Sequence, residues 1–286
     1  MDPDSEAEQA ASNFPKSFVM LIVLFACYKL DKSPIIYAAH FPYTVQKEDP
    51  VPVTSPPVKK KKKTIYLTFD DGPNKGTRKL LHIIQEERVP VSMFIVGEHV
   101  YDSKNQQDTW DSLLNCRLIE MCNHSFTHAR NHYRRFYQQP DSVVKDFDRC
   151  RDSLHLQNNI GRTPGRNIWR TDSLDITDLN KSSAAADSLE ESGFSLMGWD
   201  VEWQFNAKDM RVKNCADELL DEIDSAFAKG RTRTPEHLVL LAHDQVYADV
   251  ADSAELHLFI KMLKEKTDYQ LEVVSNYPGV AKRLKE

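Results

Sequence analysis

The chain has 286 residues, of which 41% are hydrophobic, 9% aromatic and 28% charged, enough apolar material for one sizeable core and too much for a disordered chain. Five cysteines are too few for a disulfide-dense miniprotein, and the composition fits neither a collagen-like fibre nor a polytopic membrane protein. The formal net charge is -6, from 37 Lys and Arg against 43 Asp and Glu; residues 1–63 hold 9 basic and 7 acidic side chains, so residues 64–286 hold 28 and 36. An acidic body repels phosphate backbones, so no nucleic-acid partner is expected, and the five consecutive lysines Lys59 to Lys63 read as a solvated run.

The chain opens on an apolar run, Phe18 to Ala26, too short to span a bilayer and of the length of a signal-peptide core. Leu24-Phe25-Ala26-Cys27 at its end resembles the lipobox of bacterial lipoproteins, with Cys27 as the lipidated residue. Residues 1–27 are therefore expected to be an export segment, and the protein an exported, membrane-anchored one of the bacterial cell envelope. Residues 28–63, with six prolines and no sustained period, read as a tether. No CxxC pair occurs, which disfavours a cysteine zinc site and leaves disulfides open.

From Thr64 strands and helices alternate. Strands are expected at Thr64–Phe69, Val91–Val96, Leu118–Cys122, Asn167–Trp169, Ser195–Trp199, His237–Ala242 and Tyr269–Val274. Between them the helical spacing covers Thr77–Glu87, Thr109–Leu114, Ser142–Leu156, Ala184–Glu191, Ala216–Ala228 and Ala254–Lys264. About seven βα units argue for an α/β fold with a parallel sheet, which places active groups in the loops after the strand carboxyl ends.

Five polar clusters sit at those positions. Asp70-Asp71-Gly72-Pro73 ends the first strand; it is turn chemistry, or a pair in which one carboxylate binds a cation and the other takes a proton from water. His124 and His128 follow the third strand at a spacing that lets two imidazoles grip one ion from one face of a helical turn. Gly161 to Asn167, containing Arg162 and Gly165, is uninformative alone. Trp199-Asp200-Val201-Glu202-Trp203 suits a sugar platform or core aromatics with charged edges. His243-Asp244 ends the most apolar strand, as an acid or base with an orienting carboxylate or as a core histidine.

The ordered set TFDDGP, NHSFTH, RTPG, WDVEW and LLAHD resembles the polysaccharide deacetylases with the NodB homology domain, carbohydrate esterase family 4, over about Thr64 to Val274. The resemblance implies a distorted (β/α) barrel with fewer than eight strands, about seven parallel, over residues 64–286. It implies metal-dependent removal of acetyl groups from N- or O-acetylated polysaccharide. By position, Asp71, His124 and His128 are the implied metal ligands, Asp70 the base, and Arg162 the arginine that orients it. His243 is the implied acid, near Asp200 or Glu202, and Trp203 and Trp199 line the sugar or acyl pocket. The chain departs from the family at Gly165, where an aromatic often follows the proline, and at Glu202-Trp203, where Asp-Trp is usual. The backbone N–H at Gly165 is still expected to help hold the oxyanion. The ligand set favours Zn2+, with Co2+, Ni2+, Mn2+ or Fe2+ compatible. Two alternatives remain: a carbohydrate-binding relative with impaired turnover, and an amide hydrolase for a small non-sugar substrate.

Overall fold

The computed structural model describes residues 62–280. The export segment, Cys27 and nearly all of the expected tether lie outside the described residues. In chain order come β1 (Lys63–Gly72), α1 (Thr77–Glu87), β2 (Val91–Ile95), α2 (Gly97–Tyr101), α3 (Lys104–Leu114) and β3 (Ile119–Asn123). Then follow α4 (Tyr133–Tyr137), α5 (Pro140–Leu154), β4 (Ile160–Gly161), β5 (Ile168–Arg170), β6 (Asp175–Thr177), α6 (Ser183–Glu191) and β7 (Ser195–Leu196). The chain ends with β8 (Val201–Glu202), β9 (Phe205–Asn206), β10 (Arg211–Val212), α7 (Ala216–Ala228), β11 (His237–His243), α8 (Val250–Glu265) and β12 (Tyr269–Leu271).

One curled, mostly parallel sheet carries the expected α/β architecture, with strand order β6-β5-β7-β4-β3-β2-β1-β11-β8. The ladder does not close, so the barrel is a partial one. Central β1 pairs with β11 along one edge; its other edge is shared by β12, at Lys63 to Ile65, and β2, from Thr68 onward. Several expectations shift: the strands expected at Ser195–Trp199 and Tyr269–Val274 shorten to β7 and β12, and the helix expected from Ala254 begins at Val250. The strand expected at Asn167–Trp169 becomes β5, which runs antiparallel to β6 and β7, while the two-residue β4 fills the parallel position beside β3. The helix expected from Thr109 begins at Lys104, because the Ser103 hydroxyl accepts the Gln106 N–H and caps it.

Strand alternation decides which side chains reach the site. In β1, Ile65, Leu67 and Phe69 face the helices, packing with Leu80 and Ile84 of α1, Leu219 and Ile223 of α7, and Phe259 and Ile260 of α8. Tyr66 faces the inside of the curl with Phe94, Cys122, Ile160, Trp169 and Met197. Thr68 and Asp70 continue that inner row. The same parity in β11 sends Leu238, Leu240 and Ala242 to the helices and Val239 inward, with His243 at the inner row's end. Cys116, Cys122, Cys150 and Cys215 are free thiols. Among the described residues no helix is long and apolar enough to cross a membrane.

Candidate active site

Strand register collects the polar clusters at one end of the sheet. Asp70 pairs across the ladder with His243, Ile95 with Asn123, and Asn123 with Gly161, so the loops after β1, β3, β4 and β11 emerge side by side. A bulge lies between Asp70, paired with Phe94, and Gly72, paired with Ile95. The extra residue is Asp71, at a φ of 73°, and the bulge turns its carboxylate to the same side as that of Asp70. The turn that follows is locked to the β11 loop. A methyl on Gly76 would sit 1.8 Å from the Asp244 carbonyl oxygen, so only glycine fits there.

Asp71 Oδ1 lies 3.2 Å from His128 Nε2 and 3.6 Å from His124 Nε2. It is buried and has no hydrogen-bond partner among the described residues. Ligand bonds of 2.0–2.2 Å to a tetrahedral zinc put neighbouring donors about 3.3 Å apart, so these separations and the one-carboxylate, two-imidazole donor set fit a divalent cation. His124 Nδ1 sits 2.8 Å from the Arg162 carbonyl oxygen; donating there leaves the Nε2 lone pair facing Asp71.

The two histidines converge through a loop and not, as expected, through one face of a helical turn. Ser125 is left-handed (φ 63°), and so are His128, Ala129, Arg130 and Asn131 in succession. Each such residue costs on the order of 1–2 kcal/mol, so the surroundings must impose the shape. Asn123 Oδ1 accepts the Ser125 N–H, Ser125 Oγ accepts the His128 N–H, and Asp146 Oδ2 accepts both the N–H and the hydroxyl of Thr127.

Asp70 is held as expected. Arg162, 1% exposed, donates from Nη1 to Asp70 Oδ1 and Thr68 Oγ1, both at 2.8 Å. Its Nε and Nη2 donate to the carbonyls of Met197 and Gly198, which fixes the guanidinium plane. Asp70 Oδ2 is 3.6 Å from His124 Nε2, beside the donor triad.

Asp70, Asp71, His124 and His128 line a cleft of roughly 850 Å³, with His243, Gly165, Trp199 and Glu202 on its walls. The His243 ring packs edge-on against Phe205, and its Nδ1 has no hydrogen-bond partner among the described residues. No expected carboxylate orients it. Both oxygens of Asp200 accept backbone N–H groups, of Arg233 at 2.7 Å and Val239 at 2.8 Å, so Asp200 fastens the approach to β11 and does not line the cleft. Burial raises its pKa to about 6 against those two bonds. Asp244, fully buried, binds Asn74 Nδ2 and Thr77 Oγ1 and clamps the turn after β1; burial raises it to about 8.

Trp203 is also displaced from its expected place. Alternation along β8 sends Glu202 to the cleft and Trp203 to the helix layer, where it packs on Tyr247 and Phe259 and donates from Nε1 to the Asn214 carbonyl. Trp203→Ala should therefore cost about 3–5 kcal/mol of stability, read by denaturant unfolding. A stable variant with a raised KM would instead return Trp203 to the substrate.

Two cleft residues carried no sequence signal. His99 Nδ1 lies 2.8 Å from the Asp71 carbonyl oxygen and steadies the bulge. The Tyr133 ring stands edge-on to His128 at 5.8 Å, and also close beneath Gly165, whose φ of 62° suits glycine.

Burial would raise the Asp71 pKa, but the imidazoles of His128, His124, His243 and His99 outweigh it and hold the carboxyl low. Burial, reinforced by His124, pushes His128 down from 6.5 to about 4, so its imidazole is neutral and ready to ligate at neutral pH. In the metal-free protein the unfolded chain binds this proton first. The contribution of His128 to stability is therefore full above pH 6.5 and is lost as pH falls towards 4, on the order of 3 kcal/mol. Melts of metal-free wild type and His128→Asn across that window should diverge; parallel curves would rule out the assignment.

Residues 58–177 match the family model described as polysaccharide deacetylase. The matched stretch contains Asp70, Asp71, His124, His128 and Arg162. The chain is similar to the Bacillus subtilis protein YheN, 28% identical over 211 residues, which cover 71% of this chain and 64% of that one. It is 26% identical over 216 residues to the peptidoglycan-N-acetylglucosamine deacetylase of Bacillus cereus, covering 74% of this chain and 70% of the relative. Among solved structures, the catalytic domain of a peptidoglycan N-acetylglucosamine deacetylase from Eubacterium rectale superposes with a TM-score of 0.55 at 19% identity, over 78% of this chain and 94% of the other. That likeness establishes the deacetylase fold.

Proposed function

We propose that this chain is a polysaccharide deacetylase, a hydrolase that releases acetate from an acetylated glycan, using a divalent cation held by Asp71, His124 and His128. The observation that carries the reading is the buried, unpartnered Asp71 oxygen facing two imidazole nitrogens, with a second, arginine-held carboxylate beside it. The names of the similar proteins add the substrate class. A cation bound there would polarise the acetyl carbonyl and acidify a water.

The chain's own residues supply the rest. Asp70, kept in place by Arg162, takes the proton of the attacking water. The Gly165 backbone N–H at the cleft lip helps stabilise the charge on the acetyl oxygen. His243, protonated, delivers a proton to the departing sugar nitrogen or oxygen. Trp199, clamped through its backbone by the Asn167 side chain, offers a ring face for a sugar.

The test is acetate release by the zinc-loaded full chain from a panel of acetylated glucosamine oligomers, acetylated xylan and small acetamides. Acetate from the oligomers is expected. Turnover confined to the small acetamides would sink the glycan reading.

A further inference from the structure

A second hollow, of roughly 350 Å³, opens beside the catalytic cleft and shares Tyr133 with it. Its walls are aromatic and basic: Tyr133, Tyr137, Arg134, Arg166 and Lys181, with Leu179 42% exposed at the rim. Among the described residues no acidic side chain lines it. That is unexpected on a chain with a net charge of -6.

The cations are also unspent. Arg130, Arg151, Arg170 and Arg211 are all ion-paired elsewhere. Arg134 and Lys181 make no ion pair or side-chain hydrogen bond among the described residues. Arg166 donates from Nη1 to the Gly165 carbonyl at 2.8 Å and from Nε to Ser182 Oγ at 3.3 Å. Those two bonds set its plane and leave Nη2 without a partner among the described residues. A guanidinium fixed in this way is preorganised for a carboxylate. The neighbouring Asp178 is engaged otherwise, accepting the Asn167 N–H at 3.0 Å. Tyr137 is turned away from a ligand at its hydroxyl, which donates to the Pro164 carbonyl at 2.6 Å, so it contributes ring surface.

We propose that this hollow is a substrate subsite for an acidic sugar: Arg134, Arg166 and Lys181 receive a carboxylate carried by the glycan, next to the residue being deacetylated. The placement follows from Tyr133, whose ring separates the hollow from the metal-ligand candidate His128 by the width of one side chain. The inference deepens the glycan reading above and rests on it. The enzyme would thereby prefer acetylated polysaccharides that alternate amino sugars with acidic ones over neutral homopolymers.

The test is calorimetric binding to the zinc-loaded full chain. One probe is a tetrasaccharide in which N-acetylglucosamine alternates with glucuronic acid. The other is the same oligomer with its carboxylates converted to carboxamides. The acidic probe is expected to bind at least about tenfold tighter at low salt, with the ratio shrinking as salt rises. Arg134→Gln/Arg166→Gln/Lys181→Gln should bring the ratio to about one. If half-buried Arg166 proves necessary for folding, Arg134→Gln/Lys181→Gln should still lower it severalfold. Equal affinities in the wild type, or a preference that survives the triple substitution, overturn the subsite. Acetate release is scored on the same oligomers: release without charge preference defeats only this inference, whereas charge preference without release supports the subsite and defeats the deacetylase reading.

Discussion

Asp70→Asn should lower the rate of acetate release by about 10²–10⁴-fold, the range that a positioned proton acceptor contributes. The substitution is nearly isosteric. The amide oxygen can still accept from Arg162 Nη1, so the buried guanidinium keeps a partner and the local fold survives. What disappears is the capacity of the second oxygen, beside His124, to take a proton. Asp71, His124 and His128 are untouched, so metal content and KM should stay close to wild type while kcat falls. Kinetics on one acetylated oligomer, with metal analysis of both proteins, read this directly. Activity within a few-fold of wild type at equal metal loading would remove Asp70 from the chemistry.

The residue types of the site were legible because each sits at the end of a strand long or apolar enough to recognise. β1 and β11 are ten and seven residues long, and their registers alone place Asp70 opposite His243. The bulge that re-aims Asp71 left no trace in the pattern, since it is a property of pairing between β1 and β2. Nor did His99, whose imidazole reaches the site from the start of α2 to hold a backbone carbonyl, an interaction that depends on no local period.

The misplacements share a cause. β8 has only two residues, too few to show alternation, so Trp203 and Glu202 could not be assigned to opposite faces from sequence. Carboxylates next to functional residues were read as serving them. Asp200 and Asp244 instead satisfy backbone and turn donors, tasks that any buried segment must solve and that sequence adjacency does not reveal. The antiparallel turn of β5 and the left-handed loop at His128 are likewise tertiary, imposed by packing and by Asn123, Ser125 and Asp146.

Stripping the divalent cation with a chelator should reduce acetate release to background, and zinc should restore it. The argument rests on what the donor triad does without an ion. Among the described residues a buried carboxylate oxygen has no donor to satisfy it; it faces two imidazoles, and burial keeps that of His128 neutral. Such a group costs about 1–3 kcal/mol or more when unpaired, and a cation relieves it. Ion binding should therefore also stabilise the fold, by about 4 kcal/mol when zinc stands a thousandfold above its dissociation constant. Asp71→Ala removes both the ligand and the unsatisfied oxygen. Its metal-free form should melt no lower than metal-free wild type, yet gain little on adding zinc and release no acetate. Affinity should weaken as pH falls, because protons compete for the same nitrogens and oxygen. Wild-type turnover that persists at negligible metal content, or an Asp71→Ala variant that melts with the same zinc response as wild type, would show that these three side chains do not hold a catalytic ion.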